Sequence, residues 1–147
     1  MDKLYGDIRA FKIRAQEELR RARRYAAFVS LISMDLSHVD GKGDIENFAG
    51  LDEFMKSLRQ LVRSSIRDTD IIGSSGGKRL LLLLIDTPLE GAEVLSERLQ
   101  KSIRYFMCNN IKSPLNWRVP MKRYCFPGTP GEEINIQSVL EIIANDQ

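Results

Sequence analysis

Residues 67–86, RDTDIIGSSGGKRLLLLLID, constrain the fold more than any other stretch of this chain. Leu80 to Ile85 is an unbroken apolar run closed by Asp86-Thr87-Pro88. It falls far short of the roughly 18 residues that would suggest a membrane span, so it reads as a buried central strand. Ile71-Ile72 is a second, shorter β-prone run, and Gly76-Gly77 lies between the two. Glycine takes the positive φ angles of tight turns without steric cost, so this arrangement predicts a hairpin.

The flanking segments supply the remaining elements. Leu4, Ile8, Phe11, Ala15 and Ala22 fall on a heptad-like spacing interrupted by Glu18, which predicts a helix over 4–24. Glu17 and Glu18 face Arg20 and Arg21 at i+3 and i+4, so much of the Arg20–Arg24 charge is offset locally, and the run reads as a solvated face. Phe28 to Asp35 is apolar on both sides, as a central strand covered on at least one face should be, and it ends in an acid. A helix over 51–66 carries Phe54, Met55, Leu58 and Val62 on one side. Another starts at Thr87 as N-cap, with Pro88 in the first position, and runs to about Cys108. Asn116 to Phe126 reads as the last strand, which Pro120 assigns to a sheet edge or bulge, and a short helix follows over 134–144. The order is a helix, then β-α-β-β-α-β, then a helix. That is an α+β, ferredoxin-like arrangement: an antiparallel central sheet backed by two helices, with an N-terminal helix leading in. Residues 1–24 are expected to form a linker or dimerisation helix, and 25–147 the domain itself.

Composition excludes several classes. A chain of 147 residues can bury a real core without disulfides or metals, and a net charge of +2 gives no case for nucleic acid. No signal-peptide core or transmembrane run is present, so neither export nor a membrane partner is expected. Cys108 and Cys125 lack CxxC spacing and read as reduced thiols of a cytosolic protein.

Three segments carry a family resemblance: RARRYAAFVSLISMDLSH, RSSIRDTDIIGSSGG and IDTPLEGAEVLSERL. Together they resemble GGDEF domains, the bacterial diguanylate cyclase family, over roughly Arg20 to Asp146, most strongly in the middle. The spacing from Asp35 to Gly76 matches the family's pattern without a gap. The resemblance implies a signature turn at Gly76-Gly77-Lys78-Arg79-Leu80, where the family carries acids in the third and fourth places. In active members Mg²⁺ is held by an Asp at the end of the first strand and by the turn's acid. The metal offsets triphosphate charge and activates the attacking ribose hydroxyl, so carboxylates are chemically required. Asp35 occupies the strand-end position, but Lys78 stands at the turn's metal-ligand position, the third place, and Arg79 follows it in place of the second acid. Protonated lysine has no lone pair for a metal. Asp40 and Gly43 stand where the family has a phosphate-facing lysine and a guanine-reading asparagine. Asp52 aligns with a guanine-reading acid, and the C-terminal ALYxAKxxGR segment is not found. His38, the sole histidine, matches a common family residue and reads as structural.

What the resemblance retains is the inhibitory-site motif RxxD, here Arg67 to Asp70, with Arg98 at the position of an assisting arginine on the following helix. In the family these residues bind cyclic di-GMP. Arginine can donate twice to guanine O6 and N7, and a carboxylate can accept from guanine N–H groups. The expectation is therefore a catalytically inactive GGDEF-like domain, needing no cofactor or metal, that acts as a cyclic di-GMP receptor or regulatory module. The alternative is a ligand-free interaction or dimerisation module that meets a copy of itself or a signalling protein. A weaker third reading has Lys78 and Arg79 grip an anion without metal.

Overall fold

Apolar alternation along two central strands decides the layering of the molecule. The computed structural model describes residues 4–5, 8–37, 45–75, 79–111, 118–128 and 136–145. Within them the elements are β1 (Leu4–Tyr5), α1 (Ile8–Tyr25), β2 (Val29–Asp35), α2 (Leu51–Ser64), β3 (Ile71–Ser75), β4 (Arg79–Ile85), α3 (Leu89–Asn110), β5 (Met121–Phe126) and α4 (Ile136–Asn145). The sheet runs β1-β3-β4-β2-β5. Each of its four longer strands runs antiparallel to its longer neighbours, and the two-residue β1 adds in parallel to β3. The order of β5, β2, β4 and β3 is that of the expected ferredoxin-like α+β fold, and β5 lies at an edge; it starts at Met121, so Pro120 precedes the strand rather than interrupting it.

Successive side chains of a strand point to opposite faces. Leu80, Leu82 and Leu84 of β4 join Ile32 and Met34 of β2 in a core with Phe54, Leu58 and Val62 of α2 and Leu99, Ile103 and Met107 of α3. Leu81, Leu83 and Ile85 join Val29 and Leu31 in a second core, with Phe11, Ala15, Leu19 and Ala22 of α1 and Leu140 of α4. The sheet is therefore backed on one face by α2 and α3, as expected, and covered on the other by α1 and α4. The unbroken leucine run is the reason, because it presents an apolar side chain to each face in turn. Ser30, buried in β2, stays satisfied by donating from Oγ to the Thr87 carbonyl at 2.7 Å.

This layering corrects the expectation for α1. Ile8, Phe11, Ala15 and Ala22 of the heptad-like stripe are buried against the chain's own sheet, so the stripe is not available as a dimer seam. Phe11 fits because Gly73 of β3 has no side chain: a Cβ there would lie 2.5 Å from Phe11 Cδ2. Glu18, which breaks the stripe, is also buried, and its Oε1 accepts from Arg14 Nη1 at 2.5 Å.

The N-terminal helix starts later than expected, at Ile8, because Leu4 and Tyr5 pair with β3 as strand β1; the other helices begin and end within about two residues of their expected bounds, with one chemical exception. α3 begins at Leu89 with Pro88 as N-cap and no side-chain cap, so Thr87 does not cap it. The Thr87 hydroxyl instead donates to the Ile85 carbonyl at 2.9 Å. Asp86 takes a left-handed φ of 51°, which folds the 85–87 turn back on the end of β4. Among the described residues no helix is long and apolar enough to cross a membrane, and both cysteines are unpaired thiols.

Candidate functional site

Two places carry the residues singled out in the sequence, and they lie at opposite ends of β4. At its start, β3 and β4 are antiparallel with Ser75 opposite Arg79, which closes the hairpin across residues 76–78. Gly76, Gly77 and Lys78 lie outside the described residues, as do His38, Asp40 and Gly43. Arg79 has a second neighbour across the sheet. In the β2–β4 register it stands directly opposite Asp35. Directly opposed side chains of antiparallel strands have Cβ atoms about 4.5–5.5 Å apart, so the strand-end carboxylate faces a guanidinium-bearing neighbour. Asp35 also closes its own strand. Its Oδ1 accepts from the Ser37 N–H at 2.8 Å, and its N–H donates to the Pro120 carbonyl at 2.9 Å. Asp52 stands exposed in the first turn of α2, where the positive end of the helix favours a carboxylate. Among the described residues no cluster of three or more His, Cys, Asp or Glu side chains could hold a metal ion.

At the other end of β4, Arg67 and Asp70 form a closed turn. The Asp70 N–H donates to the Arg67 carbonyl at 3.0 Å, and the Arg67 N–H donates back to Asp70 Oδ2 at 3.0 Å. The carboxylate, 3% exposed, also accepts from Arg67 Nε and Nη2, both at 3.4 Å, and from the Ile85 N–H at 3.0 Å. A carboxylate has about four lone-pair sites, and four N–H groups of the chain already address this one. Asp70 therefore faces inward and ties the start of β3 to the end of β4.

Arg67 is 58% exposed, yet it too is engaged: Nη2 donates to the Ile85 carbonyl and, at 2.7 Å, to Thr87 Oγ1. Arg98 lies on the exposed side of α3, and its Nη2 reaches the Ser65 carbonyl at 3.4 Å. Ser65 is the C-cap of α2, two residues before Arg67, so the fold brings Arg67, Asp70 and Arg98 to one corner. A cation at the carbonyl end of a helix is also favoured by the helix dipole, so Arg98 has a structural reason to be there.

Sequence reasoning missed the partners of this corner. Thr87 and the Ile85 peptide complete the Arg67–Asp70 network, and Asp86 between them accepts from Arg21 of α1 at 3.5 Å. No local signal marks them, since a threonine before a proline at a helix start looks like a cap whichever way its hydroxyl turns. The structure does not join the two ends of β4 into one site. Asp35 and Arg79 belong to one end, and Arg67, Asp70 and Arg98 to the other.

A sequence model of the family described as "Diguanylate cyclase, GGDEF domain" matches residues 7–118, which takes in α1. No curated protein matches the chain. Among solved structures it is similar to the GGDEF domain of TpbB (YfiN) from Pseudomonas aeruginosa, at 17% identity and a TM-score of 0.63, covering 97% of this chain and 86% of that one. The active GGEEF domain of a diguanylate cyclase from Vibrio cholerae is similar at 20% identity and a TM-score of 0.58, covering 84% and 76%. PelD from Pseudomonas aeruginosa, solved in complex with c-di-GMP, is similar at 20% identity and a TM-score of 0.57, covering 95% of this chain and 45% of that one. At such identities the likeness speaks for the fold.

Proposed function

Given that the chain belongs to the GGDEF family, with residues 7–118 matched, we propose that it is a signalling domain without cyclase activity that takes cyclic di-GMP at the Arg67–Arg98 corner. The observation that carries the loss of catalysis is the placement of Arg79 directly opposite Asp35. A Mg²⁺ site there needs carboxylates that converge. One acid facing a guanidinium, with lysine at position 78, does not fit a divalent cation. The same register argues against an anion gripped by Arg79, since the Asp35 carboxylate on the neighbouring strand would repel the anion.

The corner supports a ligand through Arg67 and Arg98. Arg67 is the more exposed member of its ion pair, and both arginines border the end of α2. Asp70 acts differently from a guanine acceptor: buried and bonded, it positions Arg67. PelD binds c-di-GMP on a similar fold, and a second neighbour, the cyclase SiaD of Pseudomonas aeruginosa, is solved with its activator SiaC. A nucleotide or a protein partner is therefore a reasonable ligand class for such a domain. The specific observation in favour of a ligand-free interaction module is that the corner satisfies itself, with Arg67 bonded to Asp70, Ile85 and Thr87.

Calorimetric titration with cyclic di-GMP, GTP and buffer separates these readings. The expected result is saturable binding of cyclic di-GMP that Arg67→Ala weakens by about 1–3 kcal/mol, the worth of a bidentate guanine contact. Arg98→Ala should weaken it less, with an effect that shrinks at high salt, and Arg79→Ala should leave it unaltered. Absence of any binding would leave the interaction module as the better account. Binding lost in Arg79→Ala but kept in Arg67→Ala would move the ligand to the hairpin.

A further inference from the structure

A guanidinium has five N–H donors in a fixed fork, and guanine O6 and N7 need two of them aligned on one edge. The Nε–Nη2 edge of Arg67 is held by Asp70, at 3.4 Å on each side. Nη2 also serves the Ile85 carbonyl and Thr87 Oγ1. Both edges of the fork that could present paired donors include Nη2, and Nη2 is shared among three acceptors of the chain itself. Two of those acceptors belong to the 85–87 turn, whose middle residue Asp86 has a φ of 51° and pairs with Arg21 of α1 at 3.5 Å.

From this donor count we infer that Arg67 is a latch on the cyclic di-GMP site. Closed on Ile85 and Thr87, it withholds the paired donors that guanine requires, and ligand capture swings the guanidinium off the turn. The inference rests on the cyclic di-GMP reading and adds its regulation. Thr87 is then the residue that sets how tightly the site is held shut. It does not touch the ligand; it competes with it for Nη2. The same turn is the one that Arg21 of α1 meets through Asp86 at 3.5 Å.

Thr87→Val tests the latch, because it keeps the β-branched shape and removes the hydroxyl. Losing one hydrogen bond from the closed state should tighten cyclic di-GMP binding by about two- to tenfold in calorimetry. In the ligand-free protein, Thr87→Val and Arg67→Lys should be non-additive in urea unfolding, since the two side chains share a bond. Affinity that is unchanged or weaker in Thr87→Val, with the wild type binding normally, overturns the latch and leaves the receptor reading intact. Additive effects on unfolding also overturn it, because the contact would then carry no energy in solution. If neither protein binds, the receptor reading fails and the latch fails with it, a pattern distinct from the first. Binding by Thr87→Val where the wild type shows none would be the clearest support.

Discussion

Asp70→Ala is the substitution whose cost the structure specifies most closely. The carboxylate is 3% exposed and accepts from two backbone N–H groups, those of Arg67 and Ile85, each at 3.0 Å. Ile85 closes the buried β4 strand, so its N–H has no water to turn to, and a buried donor left without an acceptor costs about 1–3 kcal/mol. The Arg67 N–H is only part-buried and adds a smaller share. The ion pair adds least, because Arg67 is 58% exposed and solvent screens it to about 0–1 kcal/mol. The total is about 2–4 kcal/mol. For a domain of this size 1 kcal/mol moves Tm by about 2–4 °C, so a fall of roughly 5–15 °C is expected.

Urea unfolding followed by circular dichroism, with calorimetry for Tm, measures this directly. Asp70→Asn should cost about half as much, because its one carbonyl oxygen can serve one backbone donor while its amide group faces the other. Asp68→Ala is the control: that side chain is 98% exposed, and the change should stay within about 0.5 kcal/mol. If Asp70→Ala lies within about 1 kcal/mol of wild type, the carboxylate does not organise the corner, and its assignment as a positioning residue is wrong.

Incubation with GTP and Mg²⁺ or Mn²⁺ should give no cyclic di-GMP above a blank, and Lys78→Glu with Arg79→Glu should not revive it. Turnover that vanishes in Asp35→Ala would refute this. Gly73→Ala places a Cβ 2.5 Å from Phe11 Cδ2 and 2.8 Å from Cγ, so it should cost about 1–3 kcal/mol, with part recovered by Phe11→Leu; a neutral Gly73→Ala would mean that α1 does not sit on β3. Deleting residues 1–19 should unfold or aggregate the protein by baring one face of the sheet, and a soluble, well-folded truncated monomer in sedimentation would refute the packing of α1.

Local periodicity made much of the fold legible. The β3–β4 hairpin, the buried β4 run and the apolar side of α2 each follow from residues close in sequence. The destination of α1 did not, because a stripe of apolar side chains says that a helix is covered and not by what. Phe11 and Gly73 are paired by the fold alone, and neither residue announces the other. At the candidate site the types were legible and the directions were not. Arg-x-x-Asp can aim its carboxylate at a ligand or back into its own turn, and the burial of Asp70 decides for the turn. Thr87 presents the same ambiguity between a helix cap and an arginine partner.

The β2–β4 register sets which charges stand opposite each other at the start of β4. Asp35 and Arg79 are directly opposed on neighbouring strands. Two carboxylates in that relation repel unless a cation lies between them, since like charges directly opposite are destabilising. With Arg79 in place, the residue opposite Asp35 carries the opposite charge. β2 and β4 can then pair along their whole length, from Val29 opposite Ile85 to Asp35 opposite Arg79. An arginine at position 79 thus avoids a like-charge opposition to Asp35. The Arg67–Asp70 turn does not depend on that pairing. It is tied to Ile85, at the other end of β4, through backbone groups that any residue there would offer.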